Sequence, residues 1–86
     1  MKKVLMFYLE RCPHCKKASA MMEDLLSKHP EYKNVEIERI EESKNANIAD
    51  TYDYYYVPTF YVDGVKVHEG VPTVEAIENV YKTALA

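Results

Sequence analysis

The sequence is poor in cysteine, glycine and tryptophan: two, two and none in 86 residues. With only Cys12 and Cys15 there is no framework of crossed disulfides, so a hydrophobic core has to hold the chain together. Basic residues are not in excess either. Eleven Lys and Arg stand against 14 Asp and Glu, a net charge of -3, which leaves no surplus to displace counterions from phosphates and excludes nucleic acid as a general partner. No apolar stretch approaches the roughly 20 residues that a bilayer demands, so no membrane partner is expected. The N-terminal MKKVLMFYLER has two lysines and a short apolar run but no small-residue cleavage site, and it reads as a strand rather than an export signal. The cytoplasm is then the expected compartment, where a lone close cysteine pair points to catalysis or metal binding. Repeats and low-complexity linkers are absent. A chain this short buries only about 60 to 65% of its unfolded surface, so the expectation is one domain over residues 1–86, a monomer without a second module.

What is present is organised around Cys12-Pro13-His14-Cys15. Composition is that of an ordinary soluble globular protein, 48% hydrophobic and 29% charged. Residues 3–9 (KVLMFYL) form an apolar run bounded by charge, and after Cys15 the apolar positions Ala18, Met21, Met22, Leu25 and Leu26 have helical spacing. Proline is favoured at the first helical position because its missing N–H has no intrahelical partner there, which makes Cys12 the N-cap. A thiolate at that position faces unpaired backbone N–H groups and the positive end of the helix dipole, and both favour the ionised sulfur. Cys15 lies on the face that carries Met22 and Leu25, so its sulfur is expected to point inward and stay protonated. The predicted division of labour is Cys12 attacking and Cys15 resolving. His14 has two readings, a partial positive charge that stabilises the thiolate and makes the disulfide more oxidising, or a solvated side chain. Lys16 and Lys17 likewise read as solvent-facing charges or as a local potential for anionic thiols.

The rest of the chain follows in order. Lys28-His29-Pro30 stops the first helix, with His29 in its last turn where a cation suits the dipole. Residues 34–40 (NVEIERI) alternate as a half-exposed strand with Glu36 and Glu38 outward, and strand, helix, strand predicts a parallel pair. A second helix is predicted over 43–52, with Ala46, Ile48, Ala49 and Tyr52 inward. Tyr52, Tyr54, Tyr55 and Tyr56 then read either as a partly wet cleft wall or as rings sealing a small core. Asp63-Gly64 between residues 59–62 and 65–69 is a strong hairpin signal, since both central turn residues need positive φ. His68, on the alternate face from Val65 and Val67, reads as a surface residue. Thr73 is a good N-cap for a last helix with Val74, Ile77, Val80, Tyr81 and Ala84 on one apolar face. The order is β-α-β-α-β-β-α.

Cys12-Pro13-His14-Cys15-Lys16-Lys17-Ala18 resembles the glutaredoxin signature, a CPxC followed by basic residues and an alanine. His14 also resembles the third position of bacterial periplasmic dithiol oxidases. Val57-Pro58-Thr59 is similar to the thioredoxin-like superfamily, whose members carry a cis-proline facing the CxxC. The resemblance covers essentially the full length. It implies an α/β chain with a minimal thioredoxin (glutaredoxin-like) fold, a four-stranded mixed sheet with three helices. It further implies that Val57 turns its backbone toward the dithiol, where N–H and C=O pair with an extended substrate, while Pro58 shields the sulfurs from stray metal. For a glutathione site the implied elements are Arg11 ahead of the dithiol, the segment Tyr56, Val57, Pro58 and Thr59, and the turn at Gly70 and Val71. Two departures stand out: Leu9 replaces a lysine found in some members, and Val71-Pro72 follows Gly70 with Glu75 as the only nearby acid. The single glycine before the last helix is closer to thioredoxin, although the thioredoxin buried acid and tryptophan have no counterpart.

The function expected from all this is a cytoplasmic thiol-disulfide oxidoreductase that reduces protein disulfides or glutathione mixed disulfides, with no bound cofactor. Its partners would be disulfide-bearing proteins or low-molecular-weight thiols, with glutathione as a candidate co-substrate or a thioredoxin-reductase-type donor. One alternative is a metal module, since Cys12 and Cys15 have zinc-ligand spacing, but His14, His29 and His68 lack the H-x3-5-H spacing that would complete a site. A shared iron-sulfur cluster is a variant that Pro13 and His14 argue against. A docking protein without turnover is the third reading, one that leaves an activated dithiol without purpose.

Overall fold

A computed structural model describes residues 2–86. Strand β1 (Val4–Tyr8) leads to helix α1 (Pro13–Lys28), strand β2 (Ile37–Glu41), a short helix α2 (Ala46–Ala49), strands β3 (Thr59–Val62) and β4 (Val65–Glu69), and helix α3 (Val74–Leu85). The sheet order is β2-β1-β3-β4, with β1 parallel to β2 and antiparallel to β3, and β3 antiparallel to β4. The predicted α/β order and mixed four-stranded sheet are therefore what the chain forms. Among the described residues, no helix is long and apolar enough to cross a membrane.

The near-continuous apolar character of β1 follows from its place at the centre, covered on both faces. Successive side chains point to opposite sides. Val4 and Met6 join Ala18, Met22 and Leu25 of α1 and Ile77, Val80 and Tyr81 of α3 in one core. Leu5 and Phe7 face the other way, against Ile40, Ala49 and Tyr61, with Tyr52, Tyr54 and Val57 packed onto them. Phe7 is the hub of that second cluster, with ring centroids 4.9 Å from Tyr52, 4.9 Å from Tyr54 and 5.9 Å from Tyr61. Phe7→Ala would leave a void that three surrounding rings cannot all close. A loss of about 3 to 5 kcal/mol in denaturant unfolding is expected, and a loss under about 1 kcal/mol would show that the cluster collapses into the gap.

Four sequence expectations shift. The second strand begins at Ile37 rather than residue 34, because Pro30–Asn34 winds into a 3-10 turn and Val35 N–H bonds back to Tyr32 O at 3.1 Å. The second helix shrinks from residues 43–52 to Ala46–Ala49, leaving Ala46 and Ile48 exposed and Ala49 buried. Asn45, at its N-cap, makes no capping bond and spends its amide on Glu41 O at 3.0 Å. Thr51 and Tyr52 N–H then reach back only three residues, which tightens the end. In β4, Phe60 pairs with His68 but Tyr61 pairs with Lys66, so Val67 is an extra residue and the alternation breaks there. Val67 packs on the core while Val65 is 66% exposed. His68 is half-buried rather than on the surface, its Nε2 3.1 Å from Gly70 O. On α3, Ile77, Val80, Tyr81 and Ala84 are buried as expected, but Val74 is exposed.

Candidate active site

Helix α1 starts where the sequence places it. Cys12 is its N-cap in extended backbone geometry and Pro13 is the first helical residue. The Cys15 N–H donates to Cys12 Sγ at 3.2 Å, so the sulfur takes one of the amide donors that a helix start leaves unpaired. Cys12 N–H is held by Leu9 O at 3.2 Å, fixing the entry of the chain. Cys12 is half-buried and Cys15 buried, both as free thiols. The Cys15 thiol is pushed up to about 12, first by burial and then by its hydrogen bond to Cys12, against a smaller opposing effect of the Leu9 backbone; Cys12 and Glu42 add charge repulsion. The two sulfurs thus sit in different environments one turn apart.

The second wall of the site is the segment before β3. The Val57-Pro58 peptide bond is cis, and the Val57 carbonyl accepts from Cys12 Sγ at 3.8 Å. Among the described residues the Val57 N–H has no hydrogen-bond partner. Pro58 is buried, and its carbonyl accepts from Gly70 N–H at 2.9 Å. Thr59 is fully buried, with Oγ1 donating to Tyr56 O at 2.5 Å. Around this wall the tyrosines divide. Tyr52 and Tyr54 seal the second core, while Tyr55 and Tyr56 are 86% and 70% exposed. The core-sealing reading holds for Tyr52 and Tyr54, and the other two rings face solvent.

Of the residues singled out from sequence, the fold brings together Cys12, Cys15, Val57 and Pro58, with Thr59 behind and Gly70 beside them. Gly70 lies at φ 91 next to Tyr56, and Val71 is 63% exposed. Arg11, His14 and Lys16 are exposed around the start of α1. No group of three or more His, Cys, Asp or Glu side chains able to hold a metal occurs among the described residues. His29 is at the far end of α1, 3.6 Å from Glu78, and His68 is on β4. A cavity of about 700 Å³ along Lys3, Asn34 and Glu38 is at the opposite end of β1 from the dithiol and is lined by the Lys3 and Glu38 ion pair.

Sequence reasoning missed three carboxylates. Glu41, buried at the end of β2, accepts from Glu10 N–H at 3.2 Å and from Ser43 N–H and Oγ at 2.7 and 2.6 Å. It ties the loop ahead of Cys12 to β2, and the Ser43 hydroxyl holds its carboxyl below the usual range. Glu42 accepts from the Tyr54 hydroxyl at 2.7 Å. Glu69 accepts from Tyr55 and Tyr56 N–H at 2.5 and 2.9 Å. The only sequence signal for any of them was a charge within or just past an apolar strand.

The chain is similar to known proteins in sequence and in fold. The thioredoxin-domain family profile fits residues 2–82, and a thioredoxin of Methanocaldococcus jannaschii is 32% identical over 83 residues, covering 96% of this chain and 95% of that one. The chain belongs to the thioredoxin family. Membership makes it a thiol-disulfide oxidoreductase of the thioredoxin type. Solved structures agree on the fold. The oxidised thioredoxin of Plasmodium falciparum matches with a TM-score of 0.71 at 18% identity, over 99% of this chain and 82% of that one. A mutant thioredoxin of Halobacterium salinarum matches with a TM-score of 0.70 at 21% identity, over 99% and 75%. At such identities the likeness speaks for the thioredoxin fold alone.

Proposed function

We propose that the protein is a cytoplasmic dithiol reductase of protein disulfides, with Cys12 as nucleophile and Cys15 as resolving thiol. The observation that carries this reading is the Cys15 N–H on Cys12 Sγ at the start of α1, with the Val57 carbonyl facing the same sulfur. A thiolate at Cys12 attacks one sulfur of the substrate disulfide, forming a mixed disulfide and expelling the other sulfur, which takes up a proton. Cys15 then loses its proton and attacks Cys12 Sγ, closing the internal disulfide and releasing the second thiol. Two electrons pass from the dithiol to the substrate, and a donor returns them. Val57, its carbonyl turned to Cys12 and its N–H unpaired among the described residues, aligns an extended substrate segment beside the attacking sulfur.

For the donor, a thioredoxin-reductase-type flavoenzyme fits better than glutathione. The turn that would bind the glutamyl end carries Val71 and Pro72, and Thr73 Oγ1 is occupied in capping α3 through Ala76 N–H at 3.1 Å. Insulin reduction by the purified protein, driven in parallel by NADPH with a thioredoxin reductase and by glutathione with glutathione reductase, tests this. The first system is expected to support turnover and the second to run at least about tenfold slower. The reverse order would move the donor to glutathione, and activity in neither would remove the reductase reading itself.

A further inference from the structure

Residues 53–58, which bring Val57 to Cys12, have no strand or helix of their own, and several of their backbone groups are held by side chains instead. Most of that work falls to one strand. Glu69, at the end of β4, places a single carboxylate oxygen, Oε2, on the N–H groups of both Tyr55 and Tyr56. Its other oxygen takes Lys66 Nζ at 2.7 Å, and the same Nζ reaches Asp53 O at 3.0 Å. The Tyr61 hydroxyl donates to Asp53 O at 2.6 Å. Tyr56 is held at both ends, N–H by Glu69 and C=O by Thr59 Oγ1. The next residue is Val57, whose carbonyl faces Cys12 Sγ.

We propose that Glu69 is a positioning residue for substrate: by clamping the Tyr55 and Tyr56 amides it fixes the Val57 backbone that a protein substrate pairs with. The inference rests on the reductase reading above and adds the group that sets the substrate wall. Charge-assisted bonds to backbone N–H are among the stronger hydrogen bonds a surface carboxylate makes. Their effect is visible on the acid, since Lys66 and then the two amides pull the Glu69 carboxyl down to about 2, and the clamp is intact at any physiological pH. Glu69 touches neither sulfur, so its main effect falls on the binding of an extended chain, and what reaches Cys12 passes through the Val57 carbonyl.

The test compares Glu69→Ala, Glu69→Gln and Lys66→Met in the full chain, on insulin and on hydroxyethyl disulfide, which is too small to pair with Val57. Glu69→Ala is expected to raise KM for insulin about five- to tenfold and to leave kcat, and turnover of hydroxyethyl disulfide, within about twofold. Amide hydrogen exchange at Tyr55 and Tyr56 should speed up in the same variant. Glu69→Gln keeps one acceptor oxygen for both amides and is expected to bring KM most of the way back to the wild-type value. Lys66→Met frees the other carboxylate oxygen and Asp53 O and is expected to give a KM between those of the wild type and Glu69→Ala; a larger rise than in Glu69→Ala overturns the role assigned to the carboxylate. An unchanged KM for insulin in Glu69→Ala, or an equal loss on both disulfides, overturns the positioning role. A wild-type protein inactive on both substrates would instead overturn the reductase reading.

Discussion

Cys12→Ser is expected to abolish turnover, lowering the rate of insulin or hydroxyethyl disulfide reduction by at least roughly a thousandfold, about 4 kcal/mol of barrier. The reason is chemical and local. A serine hydroxyl placed at the same N-cap still accepts the residue 15 N–H, so the helix start survives, as the extended backbone at Cys12 and Pro13 at the first helical position do not depend on sulfur. What goes is the nucleophile, because a hydroxyl without a neighbouring general base is not ionised at neutral pH and does not attack disulfides. Circular dichroism and the denaturant midpoint should stay near wild type, which separates lost chemistry from lost fold. Wild-type turnover in this variant would show that the attacking group is elsewhere.

Replacing Cys15 by serine is expected to give the opposite signature. The first attack still occurs, but the mixed disulfide on Cys12 has no internal thiol to displace it. A covalent adduct with the substrate should accumulate and be visible by intact-mass spectrometry, with steady-state turnover down roughly ten- to a hundredfold. Burial is the main reason the wild-type resolving step is also pH-dependent. Cys15 is held protonated, and once Cys12 is in a mixed disulfide the repulsion from its charge disappears while burial remains. Thiolate is then a small fraction through neutral pH, and the release phase is expected to accelerate about tenfold per pH unit from pH 6 to 8. A release rate flat across that range would mean that some neighbouring group takes the proton, and absence of any adduct in Cys15→Ser would contradict its role as resolving thiol.

The parts legible in the sequence are those whose interactions are short-range along the chain. Pro13 and the spacing of Ala18, Met22 and Leu25 place the start and the inner face of α1. Asp63 and Gly64, both at positive φ, make the hairpin they predict. Thr73 caps α3 through a residue three positions on. In each case the deciding contact spans four residues or fewer, within reach of a periodicity or a cap rule. The second helix failed because its pattern is weak and Asn45 bonds backward to Glu41 instead of capping it.

The dithiol, the order of elements and the expectation that Cys12 and Cys15 lie in unlike environments can be read from neighbouring residues, because a helix start and a helical face are local patterns. What surrounds the two sulfurs comes from contacts between distant parts of the folded chain. Val57 meets Cys12 across 45 positions, Glu41 holds Glu10 across 31, and Glu69 clamps Tyr55 and Tyr56 across 14 and 13. The same holds for the tyrosines, identical in the sequence, two of which fall on Phe7 and two into solvent. No local rule distinguishes a carboxylate that will find a distant amide from one that faces water, since that depends on which strand ends the sheet brings side by side.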